Sequence, residues 1–190
     1  MARATGVTAA AIVGALWLTG AGLGQSAKPP RADPKGLAAF ARIASVLESP
    51  RCTNCHPRGN RPAQGDDRHL HLTNVQRGPT DRGLPAMTSA SCHQRHNDDR
   101  AGIPGAPHWR LAPKSMGWSG LSRAQLCTAL LDRSKNGGRR PAALVTHMTT
   151  DALVRWAWQP GRGRTPPPLS RDDLHEALLS WVAAGTPCPN

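Results

Sequence analysis

The sequence predicts an all-α protein of several short helices joined by long irregular loops, and three observations carry that prediction. Capping residues and helical spacing recur in several short segments, whereas no segment alternates apolar and polar residues as a half-buried strand does. From Pro57 to Gly120 periodicity disappears, and the chain is crowded with Gly, Pro, Asn, Asp, Arg and His. A loop of that length in a compact domain is functional or disordered; His69, His71, His93, His96 and His108 lie within it and mark it as functional. At its threshold stands Cys52-Thr53-Asn54-Cys55-His56, the C-x-x-C-H pattern.

In chain order, Met1 to Arg3 is a short positive start, Ala9 to Leu18 an apolar run, and Thr19 to Ala27 small and weakly polar. Residues 1–27 therefore read as a secretory signal peptide, cut after Ala21 or near Ala27, too short and too loosely flanked for a membrane anchor. Residues 28–34 form a Pro-rich basic spacer, and 35–190 a single domain. Asp33-Pro34 supplies an N-cap and a first-turn proline. Leu37, Phe40, Ala41, Ala44 and Leu47 follow at helical spacing, so a helix runs to about Glu48 and stops before Pro50. Beyond Gly120, Ser122 with Gln125 makes a capping box for a helix through Leu126, Cys127, Leu130 and Leu131, ended near Asn136-Gly137-Gly138. Pro141 opens another through Leu144, His147 and Met148, and Asp151 to Trp158 a third, closed by Pro160-Gly161. Ser170 with Asp173 caps the last, where Leu174, Ala177, Leu178, Trp181 and Val182 form an apolar stripe ending at Gly185.

The pentapeptide has a chemical reading. One turn of backbone sets two sulfurs at the separation of a porphyrin's two vinyl groups, so Cys52 and Cys55 can each form a thioether while His56 coordinates iron as the proximal ligand. A chance match is expected only about 0.005 times in a chain of this composition. Half a zinc site is the alternative, but no second C-x-x-C or H-x3-H pair completes four ligands.

A damaged copy follows at Ser89-Ala90-Ser91-Cys92-His93, with serine in the first cysteine's place. Cysteine parity supports a second haem c held by one thioether at Cys92, with His93 on its iron. Cys127 and Cys188 then remain as a pair that can form a disulfide outside the cytoplasm. Candidates for the side chains opposite His56 and His93 are, in order, His71, His147 and Met116. Trp109, Trp118, Trp156, Trp158 and Trp181 read as packing against haem or core. Trp156 and Trp158 cannot share one helix face, which would leave one of them exposed to a partner.

Composition narrows the function classes. The formal charge of +12 would steer the protein toward an acidic redox partner or an anionic membrane surface. The leader would carry it to the periplasm and away from nucleic acid, and no transmembrane helix follows the leader. The apolar fraction is 38%, with no Tyr and one Phe, a thin core that one or two haems would fill. Asp66-Asp67 and Asp98-Asp99 look like solvated loop pairs, so no catalytic residues are assigned. The reading is an electron carrier. A haem enzyme of peroxidase type, with one open iron position, is the main alternative, and a structural or non-haem metal module the other.

Several segments together resemble a known family. They are Cys52 to Pro57, Gln64-Gly65-Asp66-Asp67 with His69 and His71, Val75 to Gly78, Cys92-His93-Gln94, Pro104 to Trp109, Met116-Gly117-Trp118, Lys135 to Arg139 and Trp156 to Gly161. Over about residues 45–190 the chain looks like the small exported c-type cytochromes known as isoquinoline 1-oxidoreductase subunits. The resemblance implies an electron-transfer subunit working with a molybdenum-type hydroxylase. The family's second motif is often a full C-x-x-C-H, which this chain breaks at Ser89.

Overall fold

Asp33 starts the fold: its carboxylate accepts a hydrogen bond from the Lys35 amide (2.8 Å), Pro34 follows as the first helical residue, and α1 runs Pro34–Leu47. In this computed structural model the described residues are Met1 and 33–190, so the expected leader, apart from Met1, and most of the spacer lie outside them. Asp33 and Pro34, at the end of the expected spacer, already belong to the first helix.

Pro50 ends nothing by itself. Ser49 adopts the extended conformation of an N-cap, Pro50 takes the first helical position, and a four-residue helix, α2 (Pro50–Thr53), carries Cys52. The same proline that cannot continue α1 is pre-set to open α2.

The long stretch after the motif contains strands, which corrects the all-α expectation. β1 (Ala63–Gln64) pairs antiparallel with β2 (His69–Leu70), and β3 (Gly83–Leu84) with β4 (Met87–Thr88). Among the described residues the fold is mixed, about 38% helix and 6% strand, with six short helices and two small antiparallel sheets. Two-residue strands are too short to show an alternating pattern. Their turns set the pairing: Gly65 (φ 72°) and Arg68 (φ 60°) reverse the chain between β1 and β2.

Two-stranded ribbons are marginal alone, and buried arginines tie these down. Arg77 donates to Asp81 (2.6 Å), to Pro57 O (3.2 Å) and to Ala112 O. Arg51 donates to Gly65 O (3.1 Å) and pairs with Asp66 (2.6 Å). The loops thus fold back on the α2 motif.

The remaining helices are α3 (Arg123–Leu131), α4 (Pro141–Thr150), α5 (Ala152–Trp156) and α6 (Arg171–Ala183). Ser122 and Gln125 form a reciprocal capping box, Asp151 accepts from Leu153 N and Val154 N, and Ser170 accepts from Asp173 N. α1 lies against α6, with Phe40 and Trp181 5.4 Å apart between ring centroids. Ile43, Leu47, Leu126, Leu144, Leu174 and Leu178 complete a continuous core. A disulfide joins Cys127 to Cys188 (S–S 1.99 Å) and ties the C-terminal tail onto α3.

Trp156 and Trp158 are both half-buried, against the expectation that one stands exposed. Each indole N–H has found an acceptor, Asn97 Oδ1 at 2.8 Å and Leu169 O at 2.7 Å. Among the described residues no helix is long and apolar enough to cross a membrane.

Candidate functional site

The Cys52–His56 turn is held from both ends. The Cys55 amide donates to Cys52 O (3.1 Å) and the His56 amide to Cys52 O (3.1 Å), which winds the pentapeptide into one tight turn. The segment 112–119 then clamps it: the Ala112 amide donates to Cys55 O (3.0 Å) and the Trp118 amide to His56 O (3.0 Å). The approach is close because residue 117 is glycine; a Cβ there would lie 2.8 Å from Pro57 O and 2.9 Å from Arg58 Cα.

This clamp orients the imidazole. His56 Nδ1 donates to Met116 O (2.8 Å), so the other nitrogen, Nε2, carries the free lone pair. The ring stacks on Trp118, centroids 3.5 Å apart and planes within 5°. Burial pushes the His56 pKa down to about 4, although the Met116 carbonyl opposes the shift, and the ring is neutral at pH 7. Burial pushes the Cys52 thiol up to about 12 and the Cys55 thiol to about 11, so both stay protonated.

Both thiols and this imidazole line one partly open, mostly apolar cavity, together with Met116, Trp118, His147 and Met148. Arg51, Arg110, Lys135 and Arg139 also contribute to its lining. The Trp118 indole N–H is buried there without a partner. Two thiols on one turn, a neutral imidazole with its outer nitrogen already bonded to a carbonyl, apolar walls and surrounding cations fit a covalent haem. They do not fit a zinc site, which needs three or four converging ligands. Among the described residues no group of three or more His, Cys, Asp or Glu side chains is placed to hold a metal ion.

The damaged motif repeats this construction. The Cys92 amide donates to Ser89 O (3.3 Å) and the His93 amide to Ser89 O (2.8 Å), the same turn with Ser89 where Cys52 stands. His93 Nδ1 donates to Pro104 O (2.7 Å). Its ring stacks on Trp109, centroids 4.4 Å apart and planes within 11°. Again a glycine follows the accepting carbonyl, and a Cβ on Gly105 would lie 2.6 Å from Gln94 O. Comparison of the chain with protein-family profiles, curated proteins and solved structures finds no match. The duplication is therefore read within this chain alone.

The other candidates separate. His71 does not line the Cys52–His56 cavity; its ring lies 6.5 Å from that of His93, planes at 83°. His147, on α4, shares the cavity with His56, its Nδ1 3.6 Å from Asp151 Oδ2, and burial lowers its pKa. Met116 lines the cavity and offers His56 its carbonyl. Cys92 is an exposed free thiol, and His69 is turned to Asp67 (2.6 Å) at the surface.

Sequence reasoning missed the Met116 and Pro104 carbonyls, the paired glycines and the assignment of one tryptophan to each histidine. The signal was present in Pro104-Gly105 ahead of Trp109 and in Met116-Gly117-Trp118. Trp109 and Trp156 also meet, centroids 4.7 Å apart, and Trp156 lines the first cavity, so aromatic packing runs from the second motif to the wall of that cavity.

Proposed function

We propose that this chain is an exported, periplasmic dihaem c-type cytochrome that passes single electrons from a partner oxidoreductase to a respiratory acceptor. The observation that carries the reading is the Cys52–His56 turn itself, with two protonated thiols and an imidazole, Nδ1 bound to Met116 O, on one apolar cavity.

The residues divide the work. Cys52 and Cys55 would hold the first haem through two thioethers, each thiol adding across a vinyl double bond, sulfur to one carbon and hydrogen to the other, with no net oxidation. Cys92 makes the one such bond available at the second motif, where Ser89 has no thiol. His56 and His93 would offer Nε2 to the irons, with the Met116 and Pro104 carbonyls fixing the tautomer and raising ligand basicity. Trp118 and Trp109 hold the imidazole planes. When bound, haem supplies an iron that accepts and releases one electron at a time. The formal charge of +12 suits docking to an acidic partner, and the resemblance to isoquinoline 1-oxidoreductase subunits makes a molybdenum-type hydroxylase the partner of choice.

Production of the full chain in a bacterium that exports it and attaches haem, followed by intact mass and haem staining on a denaturing gel, tests the proposal. Two covalent haems per chain are expected. A chain that carries none overturns it.

A further inference from the structure

We propose that His71 and His93 are the two opposing axial ligands of the second haem iron. The inference rests on the cytochrome reading and adds the ligand that closes the second site, drawn from the segment after the first motif.

The geometry carries it. The two ring centroids are 6.5 Å apart. That is wider than in the two stacked pairs, 3.5 Å for His56 with Trp118 and 4.4 Å for His93 with Trp109. It is close to what one shared metal demands: two metal–imidazole bonds of about 2 Å plus about 1 Å from each nitrogen to its ring centre sum to about 6 Å. The planes stand at 83°, one of the arrangements open to two imidazoles rotated about a common axis.

Each ring is already held by its other nitrogen. His93 Nδ1 donates to Pro104 O at 2.7 Å, and His71 Nδ1 is 3.1 Å from Thr73 Oγ1, so both leave Nε2 for a metal. The His71 backbone is fixed as well: its amide donates to Pro62 O (3.2 Å), and its carbonyl accepts from Arg61 (3.0 Å).

The ligand count points to a haem rather than a bare ion. Protein side chains alone would have to supply three or four ligands, and no such group exists among the described residues. Two opposing imidazoles suit a metal whose four equatorial positions a macrocycle fills. Cys92, adjacent to His93 and exposed, stands where a thioether can tether that macrocycle.

The test uses the exported holoprotein and its His71→Gly variant, read by EPR, absorption and intact mass. Wild type is expected to show two haems, the second with the strongly anisotropic low-spin EPR signal of perpendicular imidazole planes. His71→Gly should convert one of the two irons to high spin with the haem count unchanged, and added imidazole should restore low spin. His71→Met, which keeps a ligand, should stay low-spin with a raised potential at that haem alone. His69→Ala, at the surface beside His71, should change neither spectrum. The assignment is overturned if both irons stay low-spin in His71→Gly, or if the affected iron proves to be the one held by Cys52 and Cys55. A wild type with a single haem at Cys52 and Cys55 overturns it together with the second haem while leaving a monohaem cytochrome reading, whereas a wild type without haem overturns the cytochrome reading itself.

Discussion

The Cys52–His56 and Ser89–His93 turns are built alike and placed differently. Each winds its histidine amide onto the carbonyl of the motif's first residue, bonds Nδ1 to a carbonyl that precedes a crowded glycine, and stacks the ring on a tryptophan. The first sits on α2 at the edge of the helical core, its cysteines partly buried and Trp118 only 8% exposed. The second lies among loops, with Cys92 exposed and Trp109 half-buried. The difference teaches that the orientation of the imidazole does not depend on the first thiol. Serine at 89 removes one thiol and leaves the turn, the carbonyl bond and the stacked ring in place.

The largest expected effect breaks the first site. Cys52→Ser with Cys55→Ser should remove one haem from the intact mass and leave the haem at Cys92, because the second turn owes nothing to those thiols; loss of both haems would show that the sites are not independent. Next come the ring platforms. In the apo-protein, Trp118→Ala should cost about 3–5 kcal/mol of stability, the range for a buried aromatic, and Trp109→Ala clearly less, as read by denaturant unfolding. Equal losses would mean that the second platform is as much a part of the core as the first.

The glycines test the likeness directly. Gly117→Ala and Gly105→Ala each drive a Cβ into backbone atoms, and each should destabilise by about 1–3 kcal/mol, the range for overpacking; thermal unfolding compares the two. A kinetic contrast follows from exposure. With the disulfide intact and no haem attached, an alkylating reagent at pH 7 should label Cys92 ahead of Cys52 and Cys55, whose thiols ionise only near pH 12 and 11, so their labelling should accelerate as pH rises. Peptide mapping reads the order. The smallest change is Ser89→Cys, which should add a second thioether at the second haem, shift its absorption band slightly and leave the haem count at two.

The short helices were legible because their signals are local. Asp33, Ser122, Asp151 and Ser170 cap within three residues of themselves, and each acts in the structure as its position implies. The strands were not legible, since β1 to β4 are two residues each and depend on turns at Gly65 and Arg68 and on Arg77 reaching Pro57 and Ala112. α2 was hidden because Pro50 was read only as a stop. The exposure expected of Trp156 or Trp158 failed because Asn97 and Leu169, distant in sequence, supply acceptors for both indoles.

By itself the sequence determined the chemistry on offer: the thiol and imidazole spacing at Cys52 to His56, its one-armed copy at Cys92-His93, and the two cysteines, Cys127 and Cys188, left to pair. Only the tertiary structure decided what meets each histidine. It brought Met116 O to His56 and Pro104 O to His93, gave each ring its tryptophan, and placed the His71 ring 6.5 Å from that of His93 and outside the His56 cavity. The physical reason is range. Spacing within one turn is dictated by covalent geometry and local hydrogen bonds, whereas partners 11 to 60 residues away are chosen by where irregular loops are pinned, here by buried arginines and by glycines that leave no room for a side chain.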